Sequence, residues 1–399
     1  MSEKRADQQT GCGVGILPEA CRFPPKISMQ QPPHNYVQAF RIVYDCRFCL
    51  PRKTMSASPN QDNRNSALDQ IKGVLIFLVV FGHLIELYFH HDSVLRPLWI
   101  AIYTIHMPMF ILISGMVSKA ELNAHQSVQI VRNILAPLLA FELIYETTEY
   151  ALTGKTSVYA GLIAPYWMLW YLMSLLSWRL MLPLFSRLRY PLIAALLVAG
   201  VTAYSEHSGY LLSLSRTMMF LPFFILGWQL GPDFWSKLPA SKLYTGASVL
   251  ILITTVAISA QLPQDFDYRW LYGSFSLHRL GLATPKGNMY QALQYLCSVT
   301  AGFAALYLLS RRNLGLARLG KHSVYVFLWH GMALIVMNAN GWLKQLFELP
   351  QFWRVTLSVL ASILITWTTA HRWTALLTDK LVLHPVRSLL LGLQRHQSH

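Results

Sequence analysis

The sequence predicts an all-α protein, a polytopic transmembrane helical bundle of about ten spanning helices. Of its 399 residues 54% are hydrophobic and only 13% are charged, whereas soluble domains average about 25% charged residues. The mean hydropathy is +0.36. One soluble core cannot hold such an excess of apolar side chains. This composition therefore excludes a disordered chain, a collagen-like fibre and an ordinary nucleic-acid-binding domain.

The net charge of the chain is +15, from 33 basic and 18 acidic side chains. Lys and Arg in the loops and tails of a membrane protein set its topology, so we expect a lipid bilayer as partner and no nucleic acid. Cys46 and Cys49 form a Cys-x-x-Cys pair. A zinc site needs a second pair of ligands at a defined spacing, and because the sequence offers no obvious one, we expect no metal.

Composition divides the chain into three regions. Residues 1–66 are rich in Pro, Gln, Asn and Ser, which predicts a disordered cytoplasmic tail. Met55 begins a stretch that is ordinary for the N-terminus of an inner-membrane protein, so residues 1–54 are a candidate mis-assigned start. Residues 67–373 are the predicted membrane domain, and residues 374–399 predict an interfacial helix on the cytoplasmic surface.

Ten apolar stretches predict membrane spans, because a spanning helix needs about 20 apolar residues. Several contain proline, which is tolerated where neighbouring groups satisfy the freed carbonyls. Ten spans place both termini on one side, and the basic loop at 311–321 predicts that this side is cytoplasmic. The fifth span has the weakest pattern. The predicted spans are residues 70–90, 97–118, 132–152, 164–185, 190–206, 212–231, 242–261, 289–310, 320–338 and 354–373.

The first predicted span carries the most informative ionisable side chains. Lys72 and His83 are 11 positions apart, which places them on one helix face about 16 Å apart along the axis. Asp69 and Glu86 lie near the same stripe. Ionisable groups in a span are costly, so they indicate a functional site by default. Two alternatives stay open: Lys72 extends to the interface, and His83 is a structural, hydrogen-bonded histidine.

Two segments resemble the start of the acyltransferase family 3 membrane proteins, in particular the subgroup described as fucose 4-O-acetylase-like. They are LDQIKGVLIFLVVFGH (68–83) and IHMPMFILISG (105–115). The resemblance covers about residues 64–372. Four later segments are similar to motifs of that family in the same order: RNILAP (132–137), LWYL (169–172), SRTMMFLPFFILGWQLG (215–231) and SVYVFLWH (323–330).

The resemblance implies an integral membrane enzyme that transfers an acetyl group from cytoplasmic acetyl-CoA to a sugar hydroxyl. The acceptor would be a glycan or lipid-linked sugar of a cell-envelope or exported polysaccharide, and the location the bacterial inner membrane with both termini cytoplasmic. Two departures affect the contacts with the acyl donor. Lys72 replaces the usual arginine of the family, and Gln129 replaces one arginine of a pair that includes Arg132.

For this reaction His83 is the predicted base, since acyl transfer to an alcohol requires removal of the hydroxyl proton. A covalent acetyl-His83 intermediate is the alternative. Asp69 and Glu86 are predicted to orient or polarise His83 only through intervening groups, as neither is adjacent to it. Lys72 and Arg132 are predicted to bind the phosphates of CoA. The cluster at 311–321 is a further candidate, or simply a basic loop that sets topology.

The predicted substrate-binding residues are His106, Ser114, Trp170, Arg216 and His330. Ser114 is the candidate donor to the oxyanion. Trp170 and Arg216, together with Trp167, are candidates for contacts with the glycan, although tryptophan at a membrane interface is commonly an anchor. His330 is predicted to line the cavity; a packed, hydrogen-bonded histidine is the alternative.

Two other classes of protein remain open. In a transporter or flippase, Lys72, His83 and Glu86 would form a path for protons or substrate. In an inactive membrane sensor or scaffold, the departures at Lys72 and Gln129 would mark lost activity. The ordered set of motifs favours the enzyme, and consumption of acetyl-CoA by the purified protein distinguishes it from a transporter.

Overall fold

The computed structural model describes residues 59–392, apart from 87, 162, 206–210, 275–276, 278–279 and 283–285. The described residues contain helices and no strand, which confirms the predicted all-α class. The interpretation of residues 1–54 and most of the predicted tail lies outside the described residues. So do Cys46, Cys49 and the last seven positions of the chain.

Twelve principal helices make up the described chain, and short helical turns connect several of them. Helix α3 contains a π-helical segment, Val131–Leu135, and α12 contains another, Thr378–Leu383. The helices are α1 Pro59–Glu86, α2 Leu95–Met116, α3 Ala124–Thr153, α4 Trp167–Phe185, α5 Pro191–Ala203, α6 Leu211–Leu230, α7 Lys242–Gln261, α8 Lys286–Ser310, α9 Ser323–Ala339, α10 Trp342–Glu348, α11 Gln351–Thr369 and α12 372–391.

Each predicted span coincides with a helix, but fewer than ten helices of the described chain are long enough to cross a membrane. Eight meet the requirement, and α9 with α10 makes a ninth if this bent pair is one span. The pair bends by 74° at Gly341, which has a φ of +73° that favours glycine. Helix α5 has 13 residues, about 20 Å, which is shorter than a hydrocarbon core of about 30 Å.

Helix α1 lies at the centre of the bundle and packs against α2, α8, α9 and α11. Its apolar positions, such as Ile71, Ile76 and Leu84, are fully buried. In contrast α7 and α11 are peripheral, with few of their residues buried. Lipid tails are as apolar as these side chains, so close packing and polar contacts must hold the helices together.

Two glycines allow α2 and α6 to approach closely. A Cβ atom on Gly115 would overlap the carbonyl group of Phe224, and one on Gly227 would overlap that of Leu112. Small residues at such crossings are typical of helix packing in membranes. This contact fixes α2, which carries part of the site described below.

The predicted interfacial segment at the C-terminus is helical through residue 391 and packs against α3 and α9. Arg387 Nε donates a hydrogen bond of 3.0 Å to the carbonyl oxygen of Arg132, and Asp379 accepts one of 2.6 Å from Tyr325. Leu381 and Leu389 are exposed on this helix. The start of α1 and helix α12 therefore lie at the same end of the bundle.

Candidate active site

Four helices bring ionisable and aromatic side chains together inside the bundle. Helix α1 supplies His83 and Glu86, α2 supplies Tyr103, α4 begins with Trp167, and α9 supplies His330. We call these five residues the histidine cluster. The two ends of the bundle are named below as the Glu86 end, where the cluster lies, and the Lys72 end.

A histidine–carboxylate pair lies at the centre of the cluster. His83 Nδ1 is 2.9 Å from Glu86 Oε2. The residues are three positions apart, and side chains at this spacing share one face of a helix. The prediction that Glu86 acts on His83 only through intervening groups is therefore wrong, because adjacency in a helix is set by its turn and not by neighbouring positions in sequence.

Two tyrosines also contact the Glu86 carboxylate. Tyr103 donates its hydroxyl hydrogen to Glu86 Oε2 at 2.8 Å, and its oxygen lies 3.3 Å from His83 Nδ1. Tyr272, from the loop between α7 and α8, also donates to Glu86. Burial and the charge of Glu86 raise the pKa of Tyr272, so it remains a neutral donor. Donors on a carboxylate form strong hydrogen bonds, and here they fix the carboxylate beside His83.

The contact at Nδ1 determines what the other ring nitrogen of His83 can do. If Nδ1 donates its hydrogen to Glu86, the neutral ring keeps a lone pair on Nε2. A carboxylate in this position orients a histidine base and stabilises the imidazolium that forms when the base takes a proton. The side chains of His83 and Glu86 are 12% and 18% exposed. The pair is thus partly accessible, as a catalytic base must be.

His330 places a second imidazole beside the first. The ring centroids of His330 and His83 are 5.6 Å apart. His330 Nδ1 lies 2.9 Å from the carbonyl oxygen of Val326, so Nδ1 carries the hydrogen. His330 is fully buried, and its Nε2 has no hydrogen-bond partner among the described residues. An unsatisfied buried acceptor is costly, and a substrate hydroxyl is a group that would satisfy it.

Trp167 packs on His83, with ring centroids 5.1 Å apart. Its φ of +31° lies in the left-handed region, where a non-glycine residue is uncommon and costs about 1–3 kcal/mol. The preceding residue is held firmly: the backbone N–H of Tyr166 donates to Glu142 at 3.0 Å and its hydroxyl donates to Glu149 at 2.7 Å. Strain that the surroundings maintain in this way is a feature of functional sites.

Arg216 and Trp170 lie behind the loop that carries Tyr272. The Arg216 guanidinium is 5.0 Å from the Trp170 ring centroid and donates a hydrogen bond of 3.1 Å to Ser274. Gly273, between Tyr272 and Ser274, has a φ of +65°, and a Cβ there would overlap side chains of α6. The pair therefore positions the loop and lies outside the histidine cluster.

His106 lies on the same face of α2 as Tyr103 and supports it. Its ring packs on the Tyr103 ring with a centroid separation of 4.7 Å. His106 is buried, and its Nδ1 lies 2.7 Å from the carbonyl oxygen of Ile102. It stands one turn from Tyr103, directly behind the side chain that contacts Glu86.

A cavity of about 410 Å³ lies at the Lys72 end. Lys72 and Lys321 contribute two positive charges to its lining, Asp69 contributes one negative charge, and Ser114 and Asn133 contribute polar side chains. Lys72 Nζ is 3.3 Å from Asp69 Oδ1, and the lysine side chain is 28% exposed. The cavity thus offers cationic and hydrogen-bonding groups to an anionic ligand.

Two predicted residues are not brought to the positions expected for them. Asp69 lies 14 positions before His83, about 21 Å along the helix, and it pairs with Lys72 rather than approaching the histidine. Arg132 is exposed and does not line the cavity of Lys72, whereas the next residue, Asn133, does.

Three aromatic rings of the cavity lining extend towards the histidine cluster. Phe110, Tyr171 and Phe327 line the cavity, and the Tyr171 ring contacts the other two, with centroid distances of 5.5 Å to Phe110 and 5.4 Å to Phe327. The Phe327 ring also lies 6.1 Å from that of His330. Tyr171 is fixed by a hydrogen bond of 2.7 Å to Ser114. We call Phe110, Tyr171 and Phe327 the three-ring layer.

Sequence reasoning missed Tyr103 and Tyr272. Tyr103 precedes His106 by three positions, so helical spacing alone could have placed both on one face. No sequence pattern identified Tyr272, because it contacts Glu86 from the connection between α7 and α8 and not from a spanning helix. Among the described residues, including the histidine cluster, no three His, Cys, Asp or Glu side chains are grouped so that they could hold a metal ion.

The fold and the site together define a multi-pass membrane protein with a partly buried histidine–carboxylate pair, the kind of group that removes a proton from a hydroxyl. Residues 65–371 match the family model described as "Acyltransferase domain". The match covers most of the chain, and the protein belongs to this family of acyltransferases.

Two curated relatives are similar to part of the chain. The nodulation protein NolL of Sinorhizobium fredii is 33% identical over 135 residues, which are 30% of this chain and 37% of the relative. The nodulation protein NolL of Mesorhizobium japonicum is 31% identical over 130 residues, 29% of this chain and 35% of the relative. The alignments thus span little more than a third of either relative. No solved structure matches the chain.

Proposed function

We propose that the protein is an O-acetyltransferase of the bacterial inner membrane. It would move an acetyl group from cytoplasmic acetyl-CoA to a hydroxyl of a cell-envelope or exported polysaccharide, presented as a glycan or a lipid-linked sugar. The observation that carries this proposal is the contact between His83 and Glu86, which provides an oriented base in a family of acyltransferases. The acetyl group and the sugar acceptor are what the resemblance of the first two spans to fucose 4-O-acetylase-like proteins implies.

The Lys72 end is proposed as the cytoplasmic, donor end. Lys72 and Lys321 would pair with the phosphates of CoA, and Ser114 or Asn133 would hydrogen-bond to its pantetheine arm. Lys72 and His83 are separated by about 16 Å along α1, a distance that the extended pantetheine arm can bridge. The thioester would then reach the histidine cluster through the three-ring layer.

At the Glu86 end, His83 is proposed as the general base. The acceptor hydroxyl donates its proton to His83 Nε2 while its oxygen attacks the thioester carbonyl carbon. The new carbon–oxygen bond forms as the carbon–sulfur bond breaks, and the proton passes from His83 to the departing CoA thiolate. Glu86 stabilises the transient imidazolium, and His330 Nε2 accepts a hydrogen bond from a second hydroxyl of the sugar.

The remaining predicted residues support this centre. Trp167 would stack on a face of the sugar, since its ring already lies against His83. His106 is proposed to hold Tyr103, and Trp170 with Arg216 to hold the loop of Tyr272. Arg132, being exposed, would meet CoA only outside the cavity of Lys72.

The test is thiol release from acetyl-CoA by the purified protein in detergent, with and without a panel of cell-envelope polysaccharides. We expect turnover by the wild type and a loss of about 10²- to 10⁴-fold in His83→Ala, the usual contribution of a general base. His384→Ala, an exposed histidine on α12, is the matched control and should keep full activity. Turnover that survives in a folded His83→Ala variant would remove His83 as the base.

Absence of thiol release from acetyl-CoA by wild type, in every acceptor mixture, would contradict the acetyl donor. Lys72→Ala extends the test to the donor end. It should raise the KM for acetyl-CoA, because a charge-assisted contact to phosphate is lost, and leave kcat nearly unchanged.

A further inference from the structure

We propose that an anionic phospholipid binds in a groove between α1, α11 and the short helix Ala317–Lys321, on the outer surface of the bundle at the Lys72 end. The groove has a volume of about 930 Å³. It lies on the opposite side of α1 from the cavity of Lys72, and its lining shares no residue with the site described above. This proposal does not depend on the proposed reaction.

One part of the groove is apolar and is shaped by three helices. Val74 and Phe77 of α1, Leu319 of the short helix, and Ile363 and Trp367 of α11 line it. Ile363 and Trp367 are 49% and 65% exposed. Because α11 lies at the periphery of the bundle, these exposed side chains meet lipid. The surface is suited to an acyl chain lying along α11.

The other part of the groove is basic. Arg318 and Arg372 line it, together with His322 and His371. The backbone N–H of Trp373 donates to His371 Nδ1, so His371 Nε2 carries a hydrogen and is a donor. No acidic side chain is among the described residues that line the groove. Guanidinium groups and an N–H donor are the partners that a phosphate group prefers.

The order of these residues along the chain fits the orientation of a lipid. Ile363 and Trp367 lie on the last two turns of α11, and His371 and Arg372 follow its C-terminal end at Thr369. The lining of the groove therefore changes from apolar to cationic at the end of α11, as a lipid changes from acyl chain to headgroup. A soluble phosphate compound would satisfy the basic end but would leave the apolar wall without a partner, so the combination favours a phospholipid.

Bound lipid would have a structural role because it would fill the gap between α1 and α11. Helix α1 carries Lys72, His83 and Glu86 on its other faces. A lipid packed against Val74 and Phe77 would stabilise the position of α1 on the side away from the site. Basic pockets between spanning helices are known to bind anionic lipid headgroups.

The test is native mass spectrometry of the full chain released from nanodiscs of phosphatidylcholine with phosphatidylglycerol. We expect wild type to retain phosphatidylglycerol and the double variant Arg318→Gln, Arg372→Gln to retain about one molecule fewer. Both arginines are exposed, so their replacement should not unfold the protein. The matched control is Arg187→Gln with Arg189→Gln, two exposed arginines outside the groove, which should retain as much lipid as wild type.

Thermal stability provides a second readout. Phosphatidylglycerol should raise the melting temperature of wild type and of the control variant, and raise that of the groove variant clearly less. Equal retention and equal stabilisation in all three proteins would overturn the proposal. Displacement of the retained lipid by CoA would also overturn it, since the groove would then be a site for a soluble phosphate compound.

Discussion

At the scale of single residues, Glu86 has the best-defined task in the site. It contacts His83 directly and also receives hydrogen bonds from Tyr103 and Tyr272. A carboxylate in such a position matters through its charge, since it must stabilise the imidazolium as the proton is transferred. The tyrosines matter through geometry, because each donates one hydrogen bond to a group that is already held by others.

These two roles predict different losses of activity for the conservative variants Glu86→Gln and Tyr103→Phe. Glu86→Gln keeps the size of the side chain but removes its charge, and we expect kcat to fall by about 10²-fold or more. Tyr103→Phe removes one of several hydrogen bonds to the Glu86 carboxylate. Because His83 and Tyr272 still hold the carboxylate, we expect a loss at the lower end of the range for a charged group, about 1.5 kcal/mol, which is a fall of about tenfold. Thiol release from acetyl-CoA measures both. Equal losses in the two variants would argue against a separate electrostatic role for Glu86.

Single residues also show which parts of the site could be predicted from the sequence. The sequence predicts His83, Glu86 and His330 as site residues, and the structure groups their side chains. The turn of α1 places Glu86 beside His83, whereas the contact between His83 and His330 joins two helices and depends on their packing. Tyr272 could not be found in this way, since its approach to Glu86 depends on a loop held by Ser274 and Arg216. Asp69 shares a helix face with His83, but it lies about 21 Å from it along the axis and pairs with Lys72.

At the scale of helices, two glycines determine the close contact between α2 and α6. Gly115 and Gly227 let the backbones of α2 and α6 touch. Each glycine faces a carbonyl group of the other helix, and a carbonyl group cannot move aside as a flexible side chain would. The helices would therefore have to separate to admit even one methyl group.

We expect Gly227→Ala to destabilise the protein by about 1–3 kcal/mol, the usual cost of overpacking a well-packed contact. The control is Gly200→Ala on α5, where no atom lies near the position of a new Cβ. That variant should be neutral or slightly stabilising, because alanine favours helix. Melting temperatures in detergent measure both changes. If Gly227→Ala and Gly200→Ala have the same melting temperature, the close approach of α2 and α6 does not limit the stability of the protein.

The sequence did not predict the number of membrane-spanning helices correctly, since the described chain has eight or nine rather than ten. Each apolar stretch coincides with a helix, but composition did not reveal that α5 is short or that Gly341 bends α9 away from α10. Composition reports how well a segment tolerates lipid. Length and straightness depend on local backbone geometry and on the neighbouring helices.

At the scale of the whole molecule, the site and the cavity lie at opposite ends of the same helices. α1 carries Lys72 near one end and His83 with Glu86 near the other. α2 carries Ser114 towards the first end and Tyr103 towards the second. Donor and acceptor would therefore approach from opposite faces of the membrane, and neither would need to cross it.

This arrangement predicts opposite accessibility for two exposed positions. In a background free of cysteine, Lys321→Cys should react with a membrane-impermeant maleimide only from the cytoplasmic face. Asp267→Cys, in the loop that carries Tyr272, should react only from the other face. Oriented vesicles, right-side-out and inverted, provide the measurement. Labelling of both positions from one face would exclude the proposed two-sided approach.

The three-ring layer has a consequence for the energetics of the cell that carries the protein. An unobstructed aqueous passage from the Lys72 cavity to the accessible His83 and Glu86 pair would conduct ions, and each charge crossing would dissipate about 2.3 kcal/mol per 100 mV of membrane potential. Phe110, Tyr171 and Phe327 present apolar rings where such a leak would begin. Because the pantetheine arm would fill the opening that it makes between them, a chemical group can cross while the membrane stays electrically sealed.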